Sequence, residues 1–257
     1  MMKKARVSVV SYLNSKPFLY GLQHSPIAEK ISLTTDIPSK VAGKLAFNQT
    51  DIGLIPVAGL EDLDEYHIVG NYCIGAVGKV KTVVLVADVP LGEVETILMD
   101  YQSRSSVLLA KVLARFYWKK QFKWENTCND FQNVSIGGKT AGVVIGDRVF
   151  EIENRFRFVY DLSEEWQKFT GLPFVFAVWA TNKKIDPAFE SEFNSALELG
   201  LREIKNISQT EQVNYPGVDI ASYFDQNISF ELNQQKRAGM NKFLELARKL
   251  EPAVSGK

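Results

Sequence analysis

Short β-branched runs alternate along this chain with stretches whose apolar residues recur at helical spacing, and that alternation limits the fold more than any other feature. It calls for an α/β architecture. Strands are expected at residues 6–10, 30–35, 51–56, 96–100, 141–145 and 156–160. Pro38 and Ser39 suit the start of a helix carrying Val41, Leu45 and Phe47. Residues 103–118 read as a helix with Val107, Leu108, Val112, Leu113 and Phe116 on one apolar face. Residues 189–207 and 233–250 read as further helices, the second with Met240, Phe243, Leu244 and Ala247 together. Two long apolar runs, 79–86 and 170–179, look like crossings between lobes. The expected division is therefore lobe one at 1–82 plus 181–257, with lobe two at 83–180 inserted into it. A ligand would then sit between lobes, at strand ends and helix starts.

Composition narrows the function classes. The 257 residues are 46% hydrophobic, enough for a sizeable core. Formal net charge is zero, so electrostatics gives no reason to expect nucleic acid or a membrane as partner. No run approaches the roughly 20 apolar residues of a membrane span. Lys3 and Lys4 precede an apolar stretch, but Tyr12, Asn14 and Lys16 interrupt it as no signal peptide would, so a cytoplasmic location is expected. Cys73 and Cys128 lie far apart and read as small buried thiols. With two histidines, His24 and His67, and no zinc-type spacing, no metal site is expected. Neither a Gly-x-Gly-x-x-Gly nor a Walker-type loop is present to hold a nucleotide.

Three stretches carry a family likeness: Ser11-Tyr12-Leu13-Asn14-Ser15-Lys16-Pro17-Phe18, Asp51-Ile52-Gly53-Leu54-Ile55-Pro56-Val57, and Thr170-Gly171-Leu172-Pro173-Phe174-Val175-Phe176-Ala177-Val178-Trp179. Gly146-Asp147-Arg148 and Asp161-Leu162-Ser163-Glu164-Glu165-Trp166 fit the same pattern, in the same order along the chain. Together they resemble the chorismate dehydratase (MqnA) family of menaquinone biosynthesis. The second stretch by itself is generic to type II periplasmic-binding-protein folds. The resemblance implies that fold, with two lobes closing on the substrate. It also implies dehydration of chorismate to 3-[(1-carboxyvinyl)oxy]benzoate, the first step of the futalosine route, without a cofactor.

The family's motif places a substrate-contacting asparagine at Asn14, although asparagine also suits turn geometry there. Ser11 is a candidate substrate contact or a helix cap. Ser103, Ser105 and Ser106 open the long helix of lobe two, where free N–H groups and positive partial charge suit a carboxylate, and chorismate has two. Beside them Arg104 suits either the anion or solvent. Thr82 stands where the family often carries serine, and its hydroxyl is a second catalytic candidate beside plain β propensity. Gly146 permits close backbone approach to a ligand. Asp147 suits a substrate hydroxyl, a pair with Arg148, or a helix cap. Thr170 and Phe174 are candidates for ligand contact within a run otherwise suited to packing.

The implied reaction removes a proton from ring carbon three and hydroxide from carbon four. Neither His24 nor His67 lies in a recognised motif, and both read as structural or surface groups. The substrate's own enolpyruvyl carboxylate is then one option for the base, with the protein acting by positioning; an aspartate or glutamate is another. Asn14 and Thr82 would stabilise developing charge by hydrogen bonds. Two rival readings share the fold. The sister family, 1,4-dihydroxy-6-naphthoate synthase (MqnD), relies on a second-lobe histidine, and no histidine follows His67. A solute-binding protein would normally carry a signal sequence or lipobox cysteine.

Overall fold

A computed structural model describes residues 4–100, 103–127 and 136–250; Cys128 lies outside them. The chain is a mixed α/β protein of two compact units, Met1–Gly75 with Val175–Asn233, and Ala76–Phe174 with Gln234–Lys257. The first unit opens with β1 (Ala5–Val10), a 3-10 turn at Leu13–Ser15, α1 (Lys16–Gln23), β2 (Ile31–Asp36), α2 (Pro38–Ala46), β3 (Ile52–Pro56) and β4 (His67–Ala76). The second contains β5 (Val83–Ala87), β6 (Thr96–Met99), α3 (Arg104–Val112), β7 (Lys123–Asn126), β8 (Thr140–Ile145), α4 (Val149–Ile152), β9 (Phe158–Asp161) and α5 (Leu162–Thr170). The chain returns to the first unit through β10 (Phe174–Thr181), α6 (Pro187–Arg202), α7 (Ile204–Glu211), α8 (Ile220–Ser222) and β11 (Ser229–Glu231). It ends in the second with α9 (Gln234–Arg248).

The first sheet runs β11-β4-β10-β3-β1-β2, with β1 parallel to β2 and β3 and antiparallel pairs at β10–β3 and β11–β4. The second runs β7-β6-β8-β5-β9, with β6 parallel to β7 and β8, and β5 antiparallel to β8 and β9. Every residue of β3, β5 and β10 is buried, as the apolar runs of β3, β5 and residues 174–180 of β10 require of central strands covered on both faces. In the first unit Phe18 of α1 packs edge-on to Trp179 of β10 at 5.8 Å and to Phe230 at 5.3 Å. Two of the family-like stretches thus meet in one core. In the second unit Trp166, Phe174 and Phe243 pack edge to face, the last two 5.0 Å apart.

Three expectations are corrected. First, α9 belongs to the second unit, not to lobe one. Its Phe243 packs on Trp166 and Phe174, and Gly239 approaches so closely that a Cβ there would lie 2.2 Å from the Pro173 carbonyl oxygen. Second, the units divide at Gly75/Ala76 and Phe174/Val175, because β4, absent from the sequence expectation, carries the chain out. Its Gly70, Asn71 and Gly75 dilute the β signal. The 79–86 run yields strand only from Val83, and Lys81 just before it takes a left-handed φ of 64°. Third, the helix expected over 189–207 breaks at Glu203 into α6 and α7. Among the described residues no helix is long and apolar enough to cross a membrane.

Candidate functional site

In the first unit the candidate residues follow β1. Open α/β sheets present ligand-binding loops at the carboxyl ends of parallel strands, and the turn after Val10 is at such an end, beside the end of β2. Ser11 ties the two ends together, its N–H donating to Asp36 O at 3.1 Å. Its side chain is exposed and caps neither the 3-10 turn nor α1, whose caps are Tyr12 and Ser15. The buried Ser15 holds the turn: its Oγ lies 2.5 Å from Val10 O and 2.7 Å from Tyr12 O. Between them Asn14 is half-buried inside the 3-10 turn. The histidines of this unit stand apart from it. His24 is exposed, stacked on Tyr20 at 4.1 Å, and His67 is exposed beside Glu65 at 3.2 Å.

In the second unit most candidates gather along one edge of the sheet. The start of β5 pairs with the end of β8, so Thr82 lies beside Gly146, whose N–H donates to Thr82 O at 2.8 Å. The Thr82 side chain is buried, with Oγ1 3.4 Å from Val80 O. Gly146 has φ 73°, a left-handed turn that a side chain would strain. It is followed by the half-buried Asp147, whose carbonyl accepts from Phe150 N–H at 3.1 Å as α4 begins. Because β6 is parallel to β8, α3 starts at this same edge. Ser103 is its N-cap: Ser106 N–H donates to Ser103 Oγ at 3.1 Å, and Ser103 Oγ in turn donates to Ser106 Oγ at 2.8 Å. Ser103, Ser105 and Ser106 are all buried, whereas Arg104 is exposed.

Asp100 and Arg148, which motif reading did not pair, organise this edge. The carboxylate of Asp100 is fully buried; its Oδ2 accepts from Ile145 N–H at 3.2 Å and from Arg148 Nη2 at 2.6 Å. The same residue's carbonyl accepts Ser103 N–H at 3.3 Å. One aspartate therefore joins the end of β6, the end of β8 and the start of α3. A second buried aspartate, Asp161, caps α5 through Oδ1, which accepts Ser163 and Glu164 N–H at 3.0 and 3.1 Å, and holds Lys81 N–H through Oδ2 at 2.7 Å. Burial pushes its carboxyl up from the ordinary range, while the backbone N–H donors pull against that shift.

Thr170 is not brought to this edge. It closes α5 at the end opposite Asp161, roughly 12 Å away along the helix. There its hydroxyl donates to Trp166 O at 2.9 Å and accepts Leu172 N–H at 3.2 Å. Phe174 is buried in the core described above.

Comparison with known proteins first gives the class. The chain matches protein AF1704 from Archaeoglobus fulgidus at 15% identity and TM-score 0.73, covering 96% of this chain and 97% of that one. A Candida albicans protein, CA3427, described as having the generic periplasmic binding protein fold, matches at 15% identity and TM-score 0.65 over 98% of this chain and 92% of its own. The aliphatic sulphonate binding protein SsuA from Escherichia coli matches at 15% identity and TM-score 0.61, over 97% and 93%. The fold is that of the periplasmic binding proteins. The family is narrower: a family model described as menaquinone biosynthesis matches residues 5–249, and the chain belongs to that family.

Proposed function

We propose that this protein is a chorismate dehydratase, converting chorismate to 3-[(1-carboxyvinyl)oxy]benzoate and water. The observation that supports this most is membership of the menaquinone-biosynthesis family over residues 5–249. Asn14, the residue to which the family likeness assigns substrate contact, is held in the turn at the carboxyl end of β1 by the Ser15 hydroxyl, which lies within bonding distance of both Val10 O and Tyr12 O. Its own side chain makes no hydrogen bond within the described residues. Loss of the ring-carbon proton and of hydroxide yields an aromatic ring, so the step is strongly downhill and needs placement more than force. The enolpyruvyl carboxylate of the substrate takes the proton, and the protein fixes it against the ring. Asn14 and Thr82 are the neutral donors assigned to the leaving hydroxyl and the developing charge. Ser103, Ser105, Ser106, Gly146 and Asp147 are assigned to the substrate's polar groups along the edge of the second sheet, where the start of α3 favours negative charge.

The test is incubation of the purified protein with chorismate alone, followed by chromatography and mass spectrometry against a protein-free control. An enzyme-dependent aromatic product lighter by one water and retaining the enolpyruvyl group is the expected result. A folded protein that forms none overturns the dehydratase reading. Chorismate or another anion then binding without turnover would move the case to a solute-binding role, which the likeness to the sulphonate binding protein favours.

A further inference from the structure

Helices α1 and α6 touch backbone to backbone at two glycines. A Cβ on Gly200 of α6 would lie 1.8 Å from Pro17 O and 3.0 Å from Gly21 N. Reciprocally, a Cβ on Gly21 of α1 would lie 1.9 Å from Ala196 O and 2.8 Å from Gly200 N. Both distances to carbonyl oxygen are far inside van der Waals contact, and each obstacle is helix backbone, which cannot swing aside. Neither glycine has a positive φ, so both are needed for space and not for conformation. The seat has a second fastening, because Lys16 pairs with Glu211 of α7 at 2.9 Å.

What this seat holds is the start of α1, and α1 begins without a break where the Leu13–Ser15 turn ends. Pro17, the residue in contact with Gly200, is three positions beyond Asn14 on continuous helical backbone. Ser15 ties the same segment to the end of β1. A shift of α1 forced at Pro17 therefore passes directly to Asn14.

We infer that Gly200 is a positioning residue for Asn14: its missing side chain lets α1 seat where the turn presents the asparagine at the strand end. The inference rests on the dehydratase reading and on the role given there to Asn14. Gly200 touches no substrate and acts only through α1. An added methyl moves the turn by a fraction of an ångström or more, and misplacement near 1 Å costs turnover on the order of 100-fold.

Wild-type protein, Gly200→Ala, Asn14→Ala and the double variant are assayed with chorismate, the slow variants at high enzyme concentration. Circular dichroism confirms folding. Gly43→Ala is the control for adding a methyl to a helical glycine, since a Cβ there meets nothing within 4 Å. The expected result is a fall in kcat of roughly 10- to 100-fold for Gly200→Ala with KM within about threefold. On the Asn14→Ala background the same change costs less than about threefold, because the group it displaces is already gone. Gly43→Ala keeps wild-type kcat. A folded Gly200→Ala with wild-type kcat, or an equal loss on both backgrounds, overturns the inference and leaves the dehydratase reading standing. An inactive wild-type protein instead removes that reading and the inference with it. If Gly200→Ala does not fold, Glu211→Gln, which weakens the second fastening, is put through the same cycle. There a loss that shrinks on the Asn14→Ala background supports the seat, and wild-type kcat or an equal loss overturns it.

Discussion

Arg148 Nη2 lies 2.6 Å from Oδ2 of Asp100, and the Asp100 side chain is wholly out of solvent. A buried carboxylate is tolerated when its charge is matched and its oxygens are bonded. Here Arg148 supplies the charge, and Ile145 N–H supplies a further bond at 3.2 Å. Replacing Arg148 with methionine keeps an unbranched apolar stem and removes the cation beside the Asp100 carboxylate. The expected cost is about 3–5 kcal/mol in denaturant unfolding, because the Asp100 charge stays buried without the Arg148 counter-charge. The double variant Asp100→Leu, Arg148→Met should recover part of that loss. A single variant as stable as wild type would show that the pair does not hold this edge of the sheet.

Ser15→Ala tests the turn from within. The hydroxyl lies within bonding distance of both Val10 O and Tyr12 O, in a buried position that water does not reach. Removing it takes the hydroxyl donor from Val10 O, while Tyr12 O keeps the Ser15 N–H at 3.1 Å, for a loss of about 1–2 kcal/mol. The same change loosens the segment bearing Asn14, so kcat for chorismate should fall more than KM rises. Unchanged unfolding free energy together with unchanged kcat would mean that α1, and not Ser15, fixes the turn.

What the sequence made legible follows from the range over which each signal acts. The unbroken apolar runs of β3 and β8 and the apolar face of α9 are local, and each element stands where its pattern puts it. The position of Asn14 was legible for the same reason, since a buried strand that stops at a polar turn marks its own carboxyl end. β4 was not legible, because Gly70 and Asn71 interrupt it while pairing across the sheet supplies the order that local propensity lacks. Membership of α9 in the second unit depends on Gly239 meeting Pro173, a contact between distant parts of the chain. Asp100 meets Arg148 across 48 positions, and nothing local to a Met-Asp pair at a strand end announces that bond. Thr170 belonged to a family-like stretch, yet its hydroxyl serves the end of α5, a local role that a motif read as one piece conceals.

Asp51 makes the clearest prediction about pH. It sits just before β3 and accepts from Arg6 through backbone N–H, Nε and Nη2 at 2.8, 3.1 and 2.9 Å, and from Lys183 Nζ at 2.5 Å. The Arg6 guanidinium foremost, with Lys183 and the Arg6 N–H, holds this carboxyl well below the usual carboxylate range, against the opposing pull of partial burial. A depressed carboxyl pKa stabilises the fold wherever the unfolded chain would bind the proton and the folded one would not. Its contribution is therefore fully present above the unfolded value of about 4 and is lost as pH falls from there toward the folded value. Asp51→Asn should cost about 1–2 kcal/mol at pH 7, a figure kept small because the cluster is partly exposed to solvent. The gap between wild type and variant should narrow as pH drops below about 4. Urea unfolding at several pH values reads this directly, within the range where both proteins fold reversibly. A gap that stays constant from pH 7 down to pH 3 would show that Asp51 acts through its shape and N–H acceptors alone, and that its charge contributes nothing to joining β1, β3 and the Lys183 segment.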